Sequence, residues 1–422
     1  MRDRVPRSRF DRIAFGAALG VFFATFAARA DSNDIHGRFE VADSGSFARS
    51  DSIDALLGLQ NRDDLSGNLR LVWEPSRGRW SLALQYVATL QEGDSVPLSR
   101  AESALLPAPP ATWFVLTDTF IDRGRTLGTQ GIDRLSIAYT APDFVLRLGR
   151  QALTWGSGFV FRPMDLFDPF SPGATDTEYK PGTDMLYTQW LFADGSDLQF
   201  IVVPRPTVRS GAPSANASSV ALHFHTALFD HQTTILLARD HGDWVGGVGV
   251  NGALGDASWN VELVPTFLDG GPVRTSGLAN ISDAVTLFDR NATLFAEYFH
   301  NGFGVGGGTA DTLLNLPPDL AARLERGQIF NTRRDYLAGG MTLEVTPLLT
   351  VTPILITGLD DASLFALVSA TCSLDDNLAL VAGVEIPVGP AHTEFGGAPL
   401  APGSATMLAP PSQIYLQLRR YF

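Results

Sequence analysis

The chain has 422 residues, is 45% hydrophobic and carries a net charge of −14 with a single cysteine, Cys372. An acidic balance of this size argues against a nucleic-acid binder, and one cysteine excludes an intramolecular disulfide, so Cys372 reads as a small apolar strand residue. The N-terminus sets Arg2, Arg4, Arg7, Arg9 and Arg12 ahead of the apolar run 13–28, which closes on Ala28-Arg29-Ala30 before Asp31. This pattern predicts a cleaved signal peptide over residues 1–30. The run is short for a membrane-spanning helix, and no cysteine follows it to take a lipid anchor. Cleavage would leave 25 basic and 43 acidic residues, a net of −18. Beyond residue 30 no stretch of about 18 uninterrupted apolar residues remains, which excludes a helical membrane protein. The apolar content is spread instead as alternation, as in a barrel with lipid outside and water inside.

Short alternating segments recur from end to end. Leu69, Leu71 and Trp73 interleave with Asn68, Arg70 and Glu74; Trp80, Leu82, Leu84 and Tyr86 with Ser81 and Gln85. Leu135, Ile137 and Tyr139 oppose Arg134 and Ser136, and Phe144, Leu146 and Leu148 oppose Arg147 and Gln151. Side chains two apart share a face, so each segment has an apolar and a polar side. The pattern repeats at 183–192, 196–203, 217–228, 231–239, 243–252, 257–267, 291–301, 335–346, 349–357, 362–372, 376–386 and 412–422. Several joints are short and polar, such as Asp240-His241-Gly242 and Leu374-Asp375-Asp376, whereas long Gly/Pro-rich joints fall at 91–131, 152–182, 302–334 and 389–411.

In an outer-membrane barrel, long external loops alternate with short periplasmic turns. Counting back from Phe422, that parity fails unless residues 268–290 contain a further strand. With it, 17 strands follow residue 67, and either 35–41 or 51–60 supplies the first. The expected fold is therefore all-β, a transmembrane antiparallel barrel of about 18 strands, with 16 as the alternative. Pro317-Pro318-Asp319 ahead of 320–326 and Gly327 predicts a short capped helix inside one loop.

The segment 152–182 is too long for a tight turn and is expected to fold into the lumen. Arg134 and Arg147 lie on the polar faces of consecutive strands, and Arg150 and Arg162 lie at the strand exit. The segment beyond offers Asp165, Asp168, Asp176, Glu178 and, past Lys180, Asp184. Carboxylates of an inserted loop facing a guanidinium wall would pin the loop and set a field across the opening, with Asp165 and Asp168 as partners of Arg134, Arg147 and Arg150. Strict alternation would put Arg150 with Leu146 and Leu148 unless the strand bends at Gly149. The expected lining set is thus Arg134, Arg147, Arg150, Arg162, Asp165, Asp168, Lys180 and Asp184.

Gly149-Arg150-Gln151, Trp155-Gly156-x-Gly158, Pro163-x-Asp165-Leu166-Phe167-x-Pro169 and Gly182-x-Asp184 together resemble a motif of porin-like and alginate-export-like outer-membrane barrels. The likeness covers about 36 residues, and Arg162 and Lys180 depart from it. It implies a channel or exporter without naming its solute. The last strand, with Ile414, Leu416, Leu418, Arg420 and Phe422 on one face, resembles the signal read by the barrel-assembly machinery; Arg420 stands where an apolar residue is usual and would snorkel to the headgroups.

Other chemistry is poorly supported. His223 and His225 share a strand face, but a metal site needs three or four ligands. Gly-x-Ser-x-Gly, His-Glu-x-x-His and phosphate-loop patterns are missing from the sequence. No cofactor, metal or catalytic residue is expected. The favoured reading is an outer-membrane channel for hydrophilic solutes or an acidic or sugar-like substrate. The alternative is a barrel with another task, a membrane esterase or phospholipase or a partner-binding scaffold. Expected partners are outer-membrane lipid and the assembly machinery, with homo-oligomers left open.

Overall fold

A computed structural model describes residues 35–105, 112–207, 212–306, 315–401 and 403–422. The expected signal peptide lies outside the described residues. Eighteen antiparallel strands form one closed barrel. The first, His36–Phe47, pairs with Asn61–Trp73 on one edge and with the last, Ser412–Tyr421, on the other. Ser412–Tyr421 in turn pairs with Leu378–Val388. Closure leaves no strand edge open, which is what lets a sheet stand in lipid.

Alternation decides the two faces. Leu135 and Ile137 are exposed on the outside of Thr126–Thr140, while Arg134, Ser136 and Ala138 are buried on the inside. Ile235 and Leu237, Val261 and Leu263, and Ile414, Leu416 and Leu418 repeat the exposed apolar set around the ring. Arg420 shares that outer face and meets Asp375 at 3.5 Å beside a turn.

The stretch 268–290 does contain a strand, Val273–Leu287, paired with Ala257–Phe267 and Arg290–His300. Its alternation is faint because its largest buried side chain, Leu278, faces inward while Gly277 and Ala279 face out. Of the two candidates for the first strand, 35–41 supplies it; 51–60 instead holds the short helix Ile53–Leu56, capped by the Ser52 hydroxyl. The helix expected after Pro317 is Pro318–Glu325, with proline in its first turn. Sequence patterning gave no sign of the helix Ser95–Leu105 or of Thr117–Arg123, a strand that extends the wall beside residues 126–131.

All turns at the end holding Phe422 are short. At the other end lie 48–60, 94–125, 152–182, 204–218, 301–334 and 389–411, but also the short joints 241–242, 268–272 and 359–362. The rim is therefore low around residues 240–273. Helix Pro318–Glu325 reaches across it, with Arg323 on Asp243 at 2.9 Å and Asp319 on Arg274 at 2.6 Å.

Because closure depends on the first and last strands meeting, deleting 412–422 should abolish the form that migrates differently unboiled and boiled in SDS. Retention of that heat-modifiable form would show that the barrel closes some other way.

Candidate functional site

The strand Phe144–Gln151 ends where glycine permits it to. Gly149 has φ +124°, and a Cβ there would stand 2.1 Å from the Leu135 carbonyl oxygen, so no other residue fits without displacing backbone. Past this bend both Arg150 and Gln151 are buried. Arg150 donates from Nε (2.9 Å) and Nη2 (3.0 Å) to the two oxygens of Asp184 on the facing strand. Phe114 joins the pair, donating its N–H to Asp184 at 2.8 Å and accepting from Arg150 through its carbonyl.

From Gln151 the segment 152–182 contacts inward-facing side chains of strand after strand. Trp155 donates from its indole to Gln199 Oε1 at 3.0 Å, stacks on His223 at 4.7 Å, and meets Phe167 edge-on at 5.3 Å. Met164 and Phe167 are buried with Met185, Ile201, Val203 and Leu236 of the wall. Ser157 donates its N–H to Glu262 Oε1 at 2.6 Å. Phe159, Val160 and Phe161 donate theirs to Glu297 at 2.6, 3.0 and 2.8 Å. Asn280 bridges the two sides, bonding the Ser157 carbonyl at 3.0 Å and Glu297 at 3.1 Å. Phe161 stacks on Phe299 at 4.5 Å beside Tyr336, and Gly173 lies against Phe365.

The segment's remaining carboxylates meet arginines at the barrel seam. Arg38 donates to Asp176 at 2.6 Å and Glu178 at 2.7 Å. Arg419 lies 3.4 Å from Asp176 and donates to Glu40 at 2.8 Å, and the Tyr421 hydroxyl reaches Glu178 at 3.0 Å. Although burial opposes it, the Arg38 guanidinium holds the Asp176 carboxyl below its usual value. The Tyr179 ring is contacted by Arg38 at 5.0 Å and Arg70 at 4.2 Å, the two arginines facing each other across the ladder.

A β-bulge completes the anchorage. Gln85 faces Arg134 and Tyr86 faces Ile132, so Asp133 is the extra residue. Its carboxylate accepts from Arg70 at 2.6 Å and Arg134 at 3.0 Å. Arg134 also donates to the Lys180 carbonyl. Gly182 passes so close that a Cβ would stand 2.7 Å from an Arg134 guanidinium nitrogen. Lys180, the sole lysine, donates to both oxygens of buried Asp165 at 2.8 and 2.6 Å and to the Leu153 carbonyl. This draws the two ends of the segment together. Burial pushes the Asp165 carboxyl up to about 6 against the pull of Lys180.

The structure thus corrects the expected pairing. Asp165 is taken by Lys180 and Asp168 by the Thr183 hydroxyl, both from the segment's own exit, so neither meets Arg134, Arg147 or Arg150. Arg150 pairs with Asp184, and Arg134 with Asp133. Arg147 makes only a 3.4 Å contact to Gln151 and lies 5.7 Å from the Tyr187 ring, and Arg162 bonds the Gly158 carbonyl at 3.1 Å. Sequence reasoning missed Arg38, Arg70 and Arg419 and the acceptors Glu262 and Glu297. A signal existed: Glu262 sits between Val261 and Leu263, and Glu297 precedes Tyr298, so each is a charge in mid-strand whose alternation turns it inward.

Replacing Glu297 by Ala would leave the amides of Phe159, Val160 and Phe161 without this acceptor, the last of them buried. The expected result is a loss of about 2–4 kcal/mol in unfolding free energy and faster proteolysis within 152–182. Unchanged stability and protection would show that the carboxylate does not hold the segment.

No family model and no curated protein matches this sequence. Solved structures do. Pseudomonas aeruginosa OccK9 (OpdG) aligns with a TM-score of 0.55 at 13% identity, covering 93% of this chain and 100% of that one. P. aeruginosa OccK5 (OpdH) gives 0.54 at 9% identity over 92% and 98%. A BenF-like porin from Pseudomonas fluorescens Pf-5 gives 0.53 at 9% identity over 92% and 98%. At these identities the likeness is one of fold, and the fold is that of a porin-like barrel.

Proposed function

We propose that the chain is a bacterial outer-membrane channel for hydrophilic solutes, narrowed by residues 155–182. The observation that carries this reading is the run of contacts from that segment to inward side chains on the wall, from Gln199 through Glu262 and Glu297 to Arg38 and Arg419. A loop so held crosses the opening of the barrel and reduces the path left for solutes. The porin-like fold and the apolar outer band support the same reading.

The narrower expectation of an acidic or sugar-like solute leaned on a free guanidinium wall. Arg38, Arg70, Arg134, Arg150 and Arg419 are each in ion-pair contact with a carboxylate. Of the predicted set only Arg147 and Arg162 keep a guanidinium with no carboxylate contact among the described residues. The proposal therefore stays with hydrophilic solutes, and the likeness to alginate exporters rests on the sequence motif.

Single-channel recording in a planar bilayer tests the constriction. Deleting 164–176 should raise the conductance of the correctly folded protein, and an unchanged conductance would remove the segment as the narrow point. The lipid-facing band has its own test. Leu263→Arg should lower folding stability in a bilayer by about 2–4 kcal/mol, whereas His225→Arg, which sets a cation beside Asp197 on the inner face, should change it by under about 1 kcal/mol. Equal costs would contradict the assignment of faces.

A further inference from the structure

Phe159 belongs to the inserted segment but is not buried with it. Its N–H is held by Glu297 at 2.6 Å, yet 43% of the residue stays exposed. The ring stacks on Phe295, with centroids 4.7 Å apart and planes 23° from parallel. Leu294 and Tyr298 are exposed on the outer face of Arg290–His300, so alternation turns Phe295 inward with Glu297 and Phe299. Phe159 thus packs on an inward ring, and its open area faces the lumen.

The wall beside this pair is apolar. Across the strands Phe295 is paired with Gly340, Gly340 with Ile354, and Ile354 with Leu367. A Cβ on Gly340 would stand 2.6 Å from Phe295 Cε1, so glycine lets the ring lie across the neighbouring strand. Ile354 and Leu367 are partly buried against the cluster that contains Phe161, Phe299 and Phe365. Phe295 and Leu367 are the next inward residues, toward the short-turn end, from Glu297 and Phe365, which the segment touches. The row therefore lies directly beneath the narrowing. It carries no charged or hydroxyl side chain, and an apolar strip left against water is unfavourable unless something covers it.

The stack describes what covers it. Two rings offset at this spacing leave a flat face to which a third ring adds in the same geometry. A sugar would find no hydrogen-bonding side chain in the row, and a charged group would find no counter-charge there.

We propose that Phe159, Phe295, Ile354 and Leu367 form a station for the aromatic ring of an uncharged solute, with that ring on Phe159 and the solute's polar end in the water of the lumen. The inference names a solute class for the channel and rests on the channel reading for the route by which the solute arrives.

Phenyl β-D-glucopyranoside, neutral and water-soluble, is the probe, and methyl β-D-glucopyranoside is the same sugar without the ring. In saturation-transfer NMR of the detergent-solubilised full chain, the phenyl protons should receive more magnetisation than the sugar protons, and the methyl glucoside should receive far less. Phe159→Leu keeps the backbone amide on Glu297 and should weaken binding roughly three- to tenfold while keeping heat-modifiable migration. If that variant fails to fold, Ile354→Thr, which puts a hydroxyl into the row, should weaken binding in its place. Equal transfer to the two glucosides, no transfer to the phenyl protons, or undiminished binding by the folded variant overturns the proposal. Current in a planar bilayer separates the station from the channel reading. Binding without any current supports the station and removes the channel reading, whereas current without binding removes the station alone.

Discussion

Four backbone amides of residues 157–161 end on two wall carboxylates, Glu262 and Glu297. A loop packed against the inner wall can place its N–H groups on acceptors there, and carboxylates as buried as Glu262 and Glu297 must find donors. Each set meets the other's need. With 157–161 fixed, Phe161 falls on Phe299, Trp155 and Phe167 join the wall cluster, and the chain is led past Phe365 toward the seam. There Asp176 and Glu178 meet Arg38 and Arg419, and Lys180 with Asp165 closes the course.

The charges around the seam are arranged as pairs. Arg38, Arg70, Arg134 and Arg419 on the strands are met by Glu40 and Asp133 from the wall and Asp176 and Glu178 from the segment. Guanidinium groups suit such crowding because they stay charged and offer several donors in a fixed plane, and all fixed cations but Lys180 are arginines. The same pairing uses up the positive field.

The barrel was legible because period-2 alternation survives in nearly every strand. Where it did not, in Val273–Leu287, loop parity still located the strand, since topology constrains what local pattern leaves blank. Parity itself was only partly right, because three joints on the long-loop end are short. The glycines and charged residues of 149–184 marked the segment, but not its partners. Ion pairing depends on which strands a loop passes, and Arg38, Arg419 and Glu297 lie more than 100 residues from the groups of residues 157–178 that they bind. Asp165 lies as far in sequence from Arg150 as from its actual partner, Lys180, so spacing could not choose between them, and both it and Asp168 were claimed at their own segment's exit.

The most direct measurement is a cross-link between the segment and the far wall. In a chain with Cys372 replaced by Ala, Ser157→Cys and Asn280→Cys put thiols on two residues whose backbone carbonyl and side-chain amide meet at 3.0 Å. Oxidation should join them in the folded barrel and leave single-channel conductance at its uncross-linked value, because the bond only fixes the segment where it already lies. Failure of the folded protein to cross-link, or a conductance that falls when it does, would contradict the account.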